Sequence, residues 1–305
     1  MSDGTETQAP APPVVADVAP AEVAPGVHVI PDGRVPLVPN IGIVVGDRAA
    51  LVVDTGMGPR NGRRVLERAR ELTDRPLLLT LTHFHPEHGF GAQVFEREAT
   101  IVYNREQAEE LAAKGRGYVE MFRGFGDAVA AQLEDVELVA PHVVYDGSAT
   151  IDLGGMTVDL SHVGLAHTRG DQLVLVRERS VLFTGDLVET RLFPIFPWFP
   201  PQDADVSGSR WIAVLERIEQ LRADVLVPGH GEVGSAELAT AAREYMLDVQ
   251  ARVRAAGPQR SAEDLKAELE PDLRERYADW DAPEWIGFAI ECFRAELSGA
   301  VRSSA

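Results

Sequence analysis

Three histidines and one carboxylate lie within six residues of the stretch Thr82-His83-Phe84-His85-Pro86-Glu87-His88-Gly89. The stretch directly follows the apolar run Leu77–Leu81, so it lies at the carboxyl end of a predicted strand, where a loop can turn several side chains toward one point. A lone histidine is more often a hydrogen-bonded core residue. Three beside a carboxylate are instead typical of a site for zinc or another divalent metal.

Three more side chains that bind metals occur further along the chain. His167 lies in a loop between two strand-like runs, and Asp186 and His230 each end an apolar run. All three have glycine close by, which permits backbone turns that other residues resist. Because strand ends gather at one edge of a sheet, we expect these side chains to meet the histidine cluster in space.

The rest of the pattern consists of short β-rich runs with helices between them. The predicted strands are Val27–Ile30, Ile41–Val45, Ala50–Val53, Leu77–Leu81 and Ile101–Tyr103, followed by Val143–Tyr145, Met156–Leu160, Gln172–Val176, Val181–Thr184 and Val225–Pro228. The predicted helices are Gly62–Leu72, Arg105–Ala113, a segment within Tyr118–Leu133, Gly208–Gln220 and Ser235–Ala256. Two similar sets of strands with helices interspersed predict an α/β sandwich of two sheets with helices outside.

The order of these motifs resembles the metallo-β-lactamase-fold hydrolase superfamily over roughly Val27 to Gly231. The matching segments are Asp54-Thr55-Gly56, the His-x-His-x-Glu-His stretch, His167, Thr184-Gly185-Asp186 and Pro228-Gly229-His230. The resemblance implies an αβ/βα four-layer sandwich with a two-metal site in the cleft at its edge. It also implies ligand sets: His83, His85 and His167 for one ion, Glu87, His88 and His230 for the other, Asp186 bridging both, and Asp54 orienting the ligands.

Glu87 departs from the family pattern, which usually has aspartate at this position. The extra methylene moves the carboxylate by about one carbon–carbon bond, whereas metal sites tolerate only ~0.2 Å of error in distance. Pro86 fixes the local backbone, and the loop can compensate. We expect two divalent ions, zinc first, with iron or manganese as alternatives because carboxylates suit those metals as well. Whether the second site is filled stays open at this point.

The implied activity is that of a metallo-hydrolase. A metal-bridging hydroxide would attack a small ester, thioester, lactone or amide, with Asp186 and Glu87 as the catalytic carboxylates. One alternative is an iron-dependent oxygenase or dioxygenase that uses the same ligands. A second alternative is a non-catalytic metal-binding sensor.

The segment Leu192–Pro201 contains four aromatic residues and four prolines. Its proximity to Asp186 favours a substrate-facing rim, and packing under the C-terminal helices is the alternative. The predicted pocket residues are Arg191, Phe193, Phe196, Trp198 and Phe199. The apolar stretch Tyr118–Phe125 either caps the same cleft or packs on a sheet.

Composition excludes several classes of function. The 305 residues carry 29 basic and 48 acidic side chains, a net charge of −19, which argues against nucleic acid as a partner. No apolar run is long enough to span a membrane, and the charge disfavours anionic lipid. The first residues lack the cationic start and apolar segment of a secretory signal, so a cytoplasmic location is expected. The expected partner is a small-molecule substrate, with a homodimer contact as a second role for the aromatic C-terminal region.

The chain is predicted to divide into three parts. Residues 1–26, rich in Ala, Pro and Val, form a disordered or draped tail. Residues 27–233 form the catalytic domain. Residues 234–305 form a helical extension packed on that domain with its aromatic side chains inward.

Overall fold

The computed structural model describes residues 11–299, and the strands in that range form two sheets. The seven strands of the first sheet lie side by side in chain order: β1 (Ala21–Ala24), β2 (Val27–Ile30), β3 (Ile41–Val45), β4 (Ala50–Val53), β5 (Leu77–Thr80), β6 (Ala99–Asn104) and β7 (Val143–Tyr145). The five strands of the second sheet are β8 (Ser148–Asp152), β9 (Thr157–His162), β10 (Gln172–Val176), β11 (Val181–Glu189) and β12 (Val225–His230), in the spatial order β12-β11-β10-β9-β8.

Helices cover the outer face of each sheet. The helices in the described range are α1 (Gly58–Leu72), α2 (Pro86–Gly89), α3 (Arg105–Arg123), α4 (Asp127–Gln132), α5 (Gly208–Leu221), α6 (Glu237–Ala256), α7 (Ala262–Arg276) and α8 (Trp285–Leu297). Residues of α1, α3 and α4 pack with the first sheet, and residues of α5 to α8 pack with the second. This confirms the predicted four-layer αβ/βα sandwich with helices at the C-terminal end.

The core between the two sheets explains why several strands read as uninterrupted apolar runs. In β4, Leu51 and Val53 face the second sheet, while Ala50 and Val52 face the helices, and all four are buried. A strand that is covered on both faces has no solvent side on which polar residues would alternate.

The N-terminal part of the predicted tail lies outside the described residues, and the rest is ordered against the domain. Val15 is buried, and its backbone N–H donates to Asn61 Oδ1 at 2.8 Å. Ala21–Ala24 pairs with β2 as an edge strand, so the first sheet begins before residue 27. In the described range no helix is both long and apolar enough to cross a membrane.

The two sheets bring their metal-capable loops to one edge of the sandwich. Strands β4 and β5 are parallel, and β11 and β12 are parallel. Asp54 follows β4, His83 follows β5 and His230 ends β12. Because parallel strands have their carboxyl ends at the same edge, these loops converge there. The loop between β9 and β10 adds His167 to the same place.

Candidate metal centre

Three imidazole nitrogens meet at one point at this edge. Nδ1 of His85 lies 3.1 Å from Nε2 of His83 and 3.0 Å from Nε2 of His167. All three side chains are buried. These atoms form a compact donor group of the kind that a single metal ion binds.

The hydrogen bonds of two of these histidines show which nitrogen carries the proton. His167 Nδ1 lies 2.8 Å from the carbonyl oxygen of Ile195, so Nδ1–H donates and Nε2 keeps its lone pair. Thr82 Oγ1 donates to Asp54 Oδ2 at 2.9 Å, so it accepts from His83 Nδ1–H at 3.2 Å. The Nε2 lone pairs of His83 and His167 therefore both point at His85 Nδ1, which could donate a proton to only one of them. A cation bound between the three nitrogens would satisfy all of them.

A second donor group lies beside the first. It consists of Glu87, His88, Asp186 and His230, all buried. His88 Nδ1 donates to Asp54 Oδ2 at 2.9 Å, and His230 Nδ1 donates to the carbonyl oxygen of Val38 at 2.9 Å. In both rings Nε2 is therefore the nitrogen directed into the group.

Asp186 lies between the two groups and faces both. Its Oδ1 is 3.1 Å from His88 Nε2 and 3.5 Å from His230 Nε2. Its Oδ2 is 4.0 Å from His83 Nε2 and 3.8 Å from His167 Nε2. One carboxylate oxygen is thus available to each group, which is the arrangement that a bridging ligand requires.

Close backbone approach holds Asp186 in this position. A Cβ at Gly229 would lie 2.0 Å from Asp186 Oδ1, and a Cβ at Gly185 would lie 2.5 Å from Thr82. Only glycine leaves room at both positions, and Gly185 also has a φ of 54°, which glycine adopts without steric cost.

The unpartnered atoms of the centre fit divalent ions. The buried atoms without a hydrogen-bond partner in the described range include His85 Nε2, Glu87 Oε2, His88 Nε2, both oxygens of Asp186, and His230 Nε2. Buried polar atoms are rarely left unsatisfied. Four of these residues belong to the second donor group, so nitrogen and oxygen donors there are directed at a position that no protein atom satisfies.

Burial and neighbouring charges shift the pKa values of most of these ligands toward the form that binds a metal, which is a neutral histidine or an ionised carboxylate. Burial lowers the pKa of His83 and His85, and lowers that of His167 to about 4. Burial opposes ionisation of Asp186, yet His88 and His230 hold its pKa well below the usual range. Burial likewise opposes a charged His88, but the adjacent carboxylates raise its pKa. A metal must therefore displace a proton at His88, whereas the three-histidine group is already neutral.

Sequence reasoning missed the residues that hold the loop of His230. Asn40 Nδ2 donates to the carbonyl oxygens of Pro228 (3.0 Å) and Gly231 (2.8 Å). Asp32 Oδ2 accepts from the N–H of Gly231 at 2.9 Å. The segment between β2 and β3 thus clamps the loop from both sides. Both residues are short polar side chains outside any motif, so only the tertiary structure reveals their role.

Asp171 performs a similar task for the loop of His167. Its Oδ2 accepts from the N–H of His167 (2.7 Å) and of Thr168 (2.9 Å), and its Oδ1 accepts from Thr168 Oγ1 at 2.5 Å. Glu189, which is also buried, accepts at 3.3 Å from the N–H of Ile195, the residue whose carbonyl orients His167. Burial, together with the Asp186 carboxylate, raises the pKa of Glu189.

Helix α3 supports the centre from a third side. The ring of Tyr118 stacks on His85, with centroids 5.1 Å apart, and its hydroxyl donates to Asp203 at 2.8 Å. Lys114 Nζ donates to Glu110 (2.9 Å) and Asp203 (3.0 Å). A buried ionic network therefore fixes the ring that packs against one histidine of the metal centre.

A cleft of about 770 Å³ opens above the two donor groups. His85, Glu87 and His230 contribute to its lining. Most of the remaining wall is apolar and comes from four segments: Val35, Pro36 and Leu37; Tyr118, Phe122 and Phe125; Leu192, Ile195, Pro197 and Phe199; and Pro283, Trp285 and Phe288. The stretch Tyr118–Phe125 thus contributes to the cleft.

The predicted aromatic rim divides between the cleft and the core. Phe199 lines the cleft, but Phe193 and Phe196 are buried, and Trp198 is 9% exposed and packs with the same core of C-terminal helices. Arg191 is not part of the lining and pairs with Glu232 at 3.1 Å. These four predicted pocket residues therefore lie outside the cleft lining. Helices α6 and α8 offer apolar surface on the far side of the loop, and alternate side chains turn toward it.

The family model described as the metallo-beta-lactamase superfamily matches residues 34–230. The acyl-coenzyme A thioesterase MBLAC2 of Bos taurus is 27% identical over 215 residues, which cover 65% of this chain and 75% of the relative. The linear primary-alkylsulfatase of a Pseudomonas strain is 24% identical over 216 residues, 60% of this chain and 39% of the relative.

A solved structure extends the likeness of fold to the C-terminal helices. The double mutant of the sec-alkyl sulfatase PisA1 aligns with a TM-score of 0.67 at 16% identity. The alignment covers 93% of this chain and 50% of the other. At this identity the likeness concerns the fold alone.

Proposed function

The chain belongs to the metallo-β-lactamase superfamily, and from that premise we propose that this metallo-hydrolase acts on a small ester or thioester with an apolar acyl group. Lactones and amides are the next candidates. One observation carries the proposal: two adjoining donor groups, joined by Asp186, lie beneath a cleft whose walls are mostly apolar. A carbonyl placed over the donor groups would leave its acyl chain against those walls.

The residues of the centre form two ligand sets that share Asp186. His83, His85 and His167 would hold one ion, Glu87, His88 and His230 the other, and Asp186 both. When bound, the two cations supply an activated water and Lewis-acid stabilisation of the charge that develops on an attacked carbonyl.

Neighbouring residues keep the centre in place. Asp54 and the carbonyl oxygens of Val38 and Ile195 fix the imidazole tautomers, as partners of metal-bound histidines usually do. Because these groups are already in place before substrate arrives, little reorganisation is required during the reaction.

The apolar wall would position the acyl chain. Phe199 and Phe288 lie with ring centroids 5.6 Å apart, and Trp285 and Phe288 lie 5.1 Å apart. Contacts remote from the reacting carbonyl hold it in an attackable position and thereby raise the rate of the chemical step. The names of the two relatives, an acyl-coenzyme A thioesterase and an alkylsulfatase, also refer to molecules with acyl or alkyl chains, which supports this assignment.

Zinc is the metal we propose for both sites. The three-histidine group suits zinc, while Glu87 and Asp186 give the second group a harder character that also suits manganese or iron. Elemental analysis of protein purified without added metal tests this proposal. We expect close to two zinc ions per chain. Iron together with oxygen uptake on thiol substrates would support an oxygenase instead.

The central experiment measures hydrolysis by the metal-loaded protein. A panel of chromogenic esters, acyl thioesters, lactones and a cephalosporin would be assayed, and we expect the esters and thioesters with medium acyl chains to react fastest. The variant His85→Ala should lose metal from the three-histidine group and lose more activity than the roughly 10–100-fold that removal of an outer partner costs.

The control for this variant is His142→Ala, which removes an exposed histidine outside both donor groups. It should keep metal and activity. Full metal occupancy and full rate in His85→Ala would show that the ligand assignment is wrong. A protein that is loaded with two metals but inactive on every ester and thioester would refute the proposed reaction.

A further inference from the structure

The charged residues of the cleft lining are mostly acidic. Outside the donor groups, the charged side chains among the described lining residues are Asp32, Arg34, Asp281 and Glu284. Asp281 and Glu284 are exposed, so they meet any part of the substrate that extends from the cleft. Three carboxylates therefore accompany a single guanidinium.

That guanidinium already has its partners. Arg34 Nη1 donates to Asp281 Oδ2 at 3.0 Å, Nη2 donates to the carbonyl oxygen of Thr190 at 3.1 Å, and Nε donates to Glu232 Oε1 at 2.8 Å. Nη2 also bonds the second oxygen of Glu232. An incoming phosphate would have to displace two carboxylates from Arg34, so the residue is a poor anion receptor despite its place in the wall.

Two basic side chains close in sequence to lining residues, Lys114 and Arg191, are paired as well. Lys114 Nζ lies 2.9 Å from Glu110 Oε1, 3.0 Å from Asp203 Oδ1 and 2.8 Å from Asp205 Oδ2. Arg191 pairs with Glu232, on the carboxylate that Arg34 also uses. With 48 acidic and 29 basic residues, the chain has a net charge of −19, which also disfavours the approach of an anionic carrier.

From this charge distribution we infer that the carrier of the acyl group is uncharged, and that the enzyme discriminates against acyl groups carried on coenzyme A. The inference rests on the proposed function. Coenzyme A bears several phosphate charges, which need free lysine or arginine side chains, and the cleft presents carboxylates in their place. The apolar wall still accepts the acyl chain. Water adds across the C–S or C–O bond, which breaks, and the acid and an uncharged thiol or alcohol leave.

The test compares two thioesters with the same acyl group. We expect kcat/KM for octanoyl-N-acetylcysteamine to exceed that for octanoyl-coenzyme A by about tenfold at low salt. Raising the salt from about 0.01 M to about 1 M shortens the Debye length from about 30 Å to 3 Å. The rate on octanoyl-coenzyme A should then rise toward the rate on the neutral thioester, which should change little.

Variants at the cleft lining test the cause. Glu284→Lys should raise the ratio of kcat/KM for octanoyl-coenzyme A over that for octanoyl-N-acetylcysteamine by several-fold at low salt. Glu284→Gln should change the ratio in the same direction by less, and it serves if the lysine variant folds poorly. Glu275→Lys is the control: it makes the same charge change on an exposed face of α7, outside the lining, and should leave the ratio unchanged.

The outcomes separate the inference from the function on which it rests. Equal or faster hydrolysis of octanoyl-coenzyme A at low salt overturns the inference but supports the thioesterase activity. An equal response to the Glu284 and Glu275 variants overturns the assigned cause. If the protein hydrolyses neither of the two thioesters and none of the matching esters, the proposed function is overturned, and the inference with it.

Discussion

Gly229→Ala tests whether the backbone beside β12 fixes the bridging carboxylate. The added Cβ would lie 2.0 Å from Asp186 Oδ1, and the backbone of residues 185 and 186 lies within 2.9 Å of it. Ordinary contact begins at 3.4 Å, so the carboxylate must move by about 1.4 Å, or the strand must shift. Metal sites tolerate only ~0.2 Å. A misplacement of this order costs roughly 100-fold in rate, and we expect one or both ions to be lost.

The assay has three readouts: metal content after dialysis against a weak chelator, kcat/KM on the best substrate of the panel, and the melting temperature. Gly117→Ala is the matched control, since Gly117 lies on the exposed side of α3 with open space at its Cβ. That change should leave metal and rate alone and stabilise the helix by about 0.5–1 kcal/mol. Full metal content and rate in Gly229→Ala would refute the argument from close approach.

Three further predictions concern the residues around the centre. Asp54→Asn removes the carboxylate that accepts a hydrogen bond from His88. Metal affinity, measured by competition with a chromophoric chelator, should fall by roughly 10–100-fold. An unchanged affinity would contradict the orienting role of Asp54. Asn40→Ala removes two hydrogen bonds that join the segment between β2 and β3 to the loop of His230, and a third within that segment, from the N–H of Asp32. The free energy of unfolding in urea should therefore fall by about 1–3 kcal/mol, and an unchanged value would show that the clamp is not structural. The Cys292 thiol is buried, and burial raises its pKa. It should therefore react with Ellman's reagent only after the protein unfolds. Rapid reaction in the native protein would place the thiol at the surface.

Strand geometry predicted that the metal-binding side chains converge, whereas their division into two ligand sets was implied by the resemblance to the family. A histidine after an apolar run lies at a sheet edge whatever the details of the core. The pairing of Asp186 with both groups, however, depends on Gly185 and Gly229, whose close contacts are visible only in three dimensions. The clamps formed by Asn40 and Asp171 were not predictable, since a short polar side chain in a loop carries no periodic signal.

The predicted boundaries of helices differ from those in the structure where tertiary contacts override local propensity. The sequence predicted separate helices over Arg105–Ala113 and within Tyr118–Leu133. Gly115 and Gly117, which lie between them, are residues that disfavour helix interiors. The structure has one helix through both glycines. A Cβ at Gly115 would lie 2.6 Å from the side chain of Leu138, so the glycine permits close packing there. Continuity of this helix is what places Tyr118 against His85.

The aromatic loop shows why the chemistry of a centre is easier to read from sequence than its specificity. Phe193 and Phe199 belong to one proline-rich run, yet the first is buried against Tyr245 and the second faces the cleft. What decides between them is α8 and the segment before it, which supply Trp285 and Phe288 to the wall. Those residues lie beyond residue 230, where the family match ends. The reacting centre therefore lies within the segment that matches the family, whereas the wall that would select an acyl chain is partly built by C-terminal helices outside that segment. Shortening Trp285 to alanine should on this reasoning shift the preferred acyl length upward without reducing metal content. If it removed metal instead, the helices would have to be regarded as part of the centre.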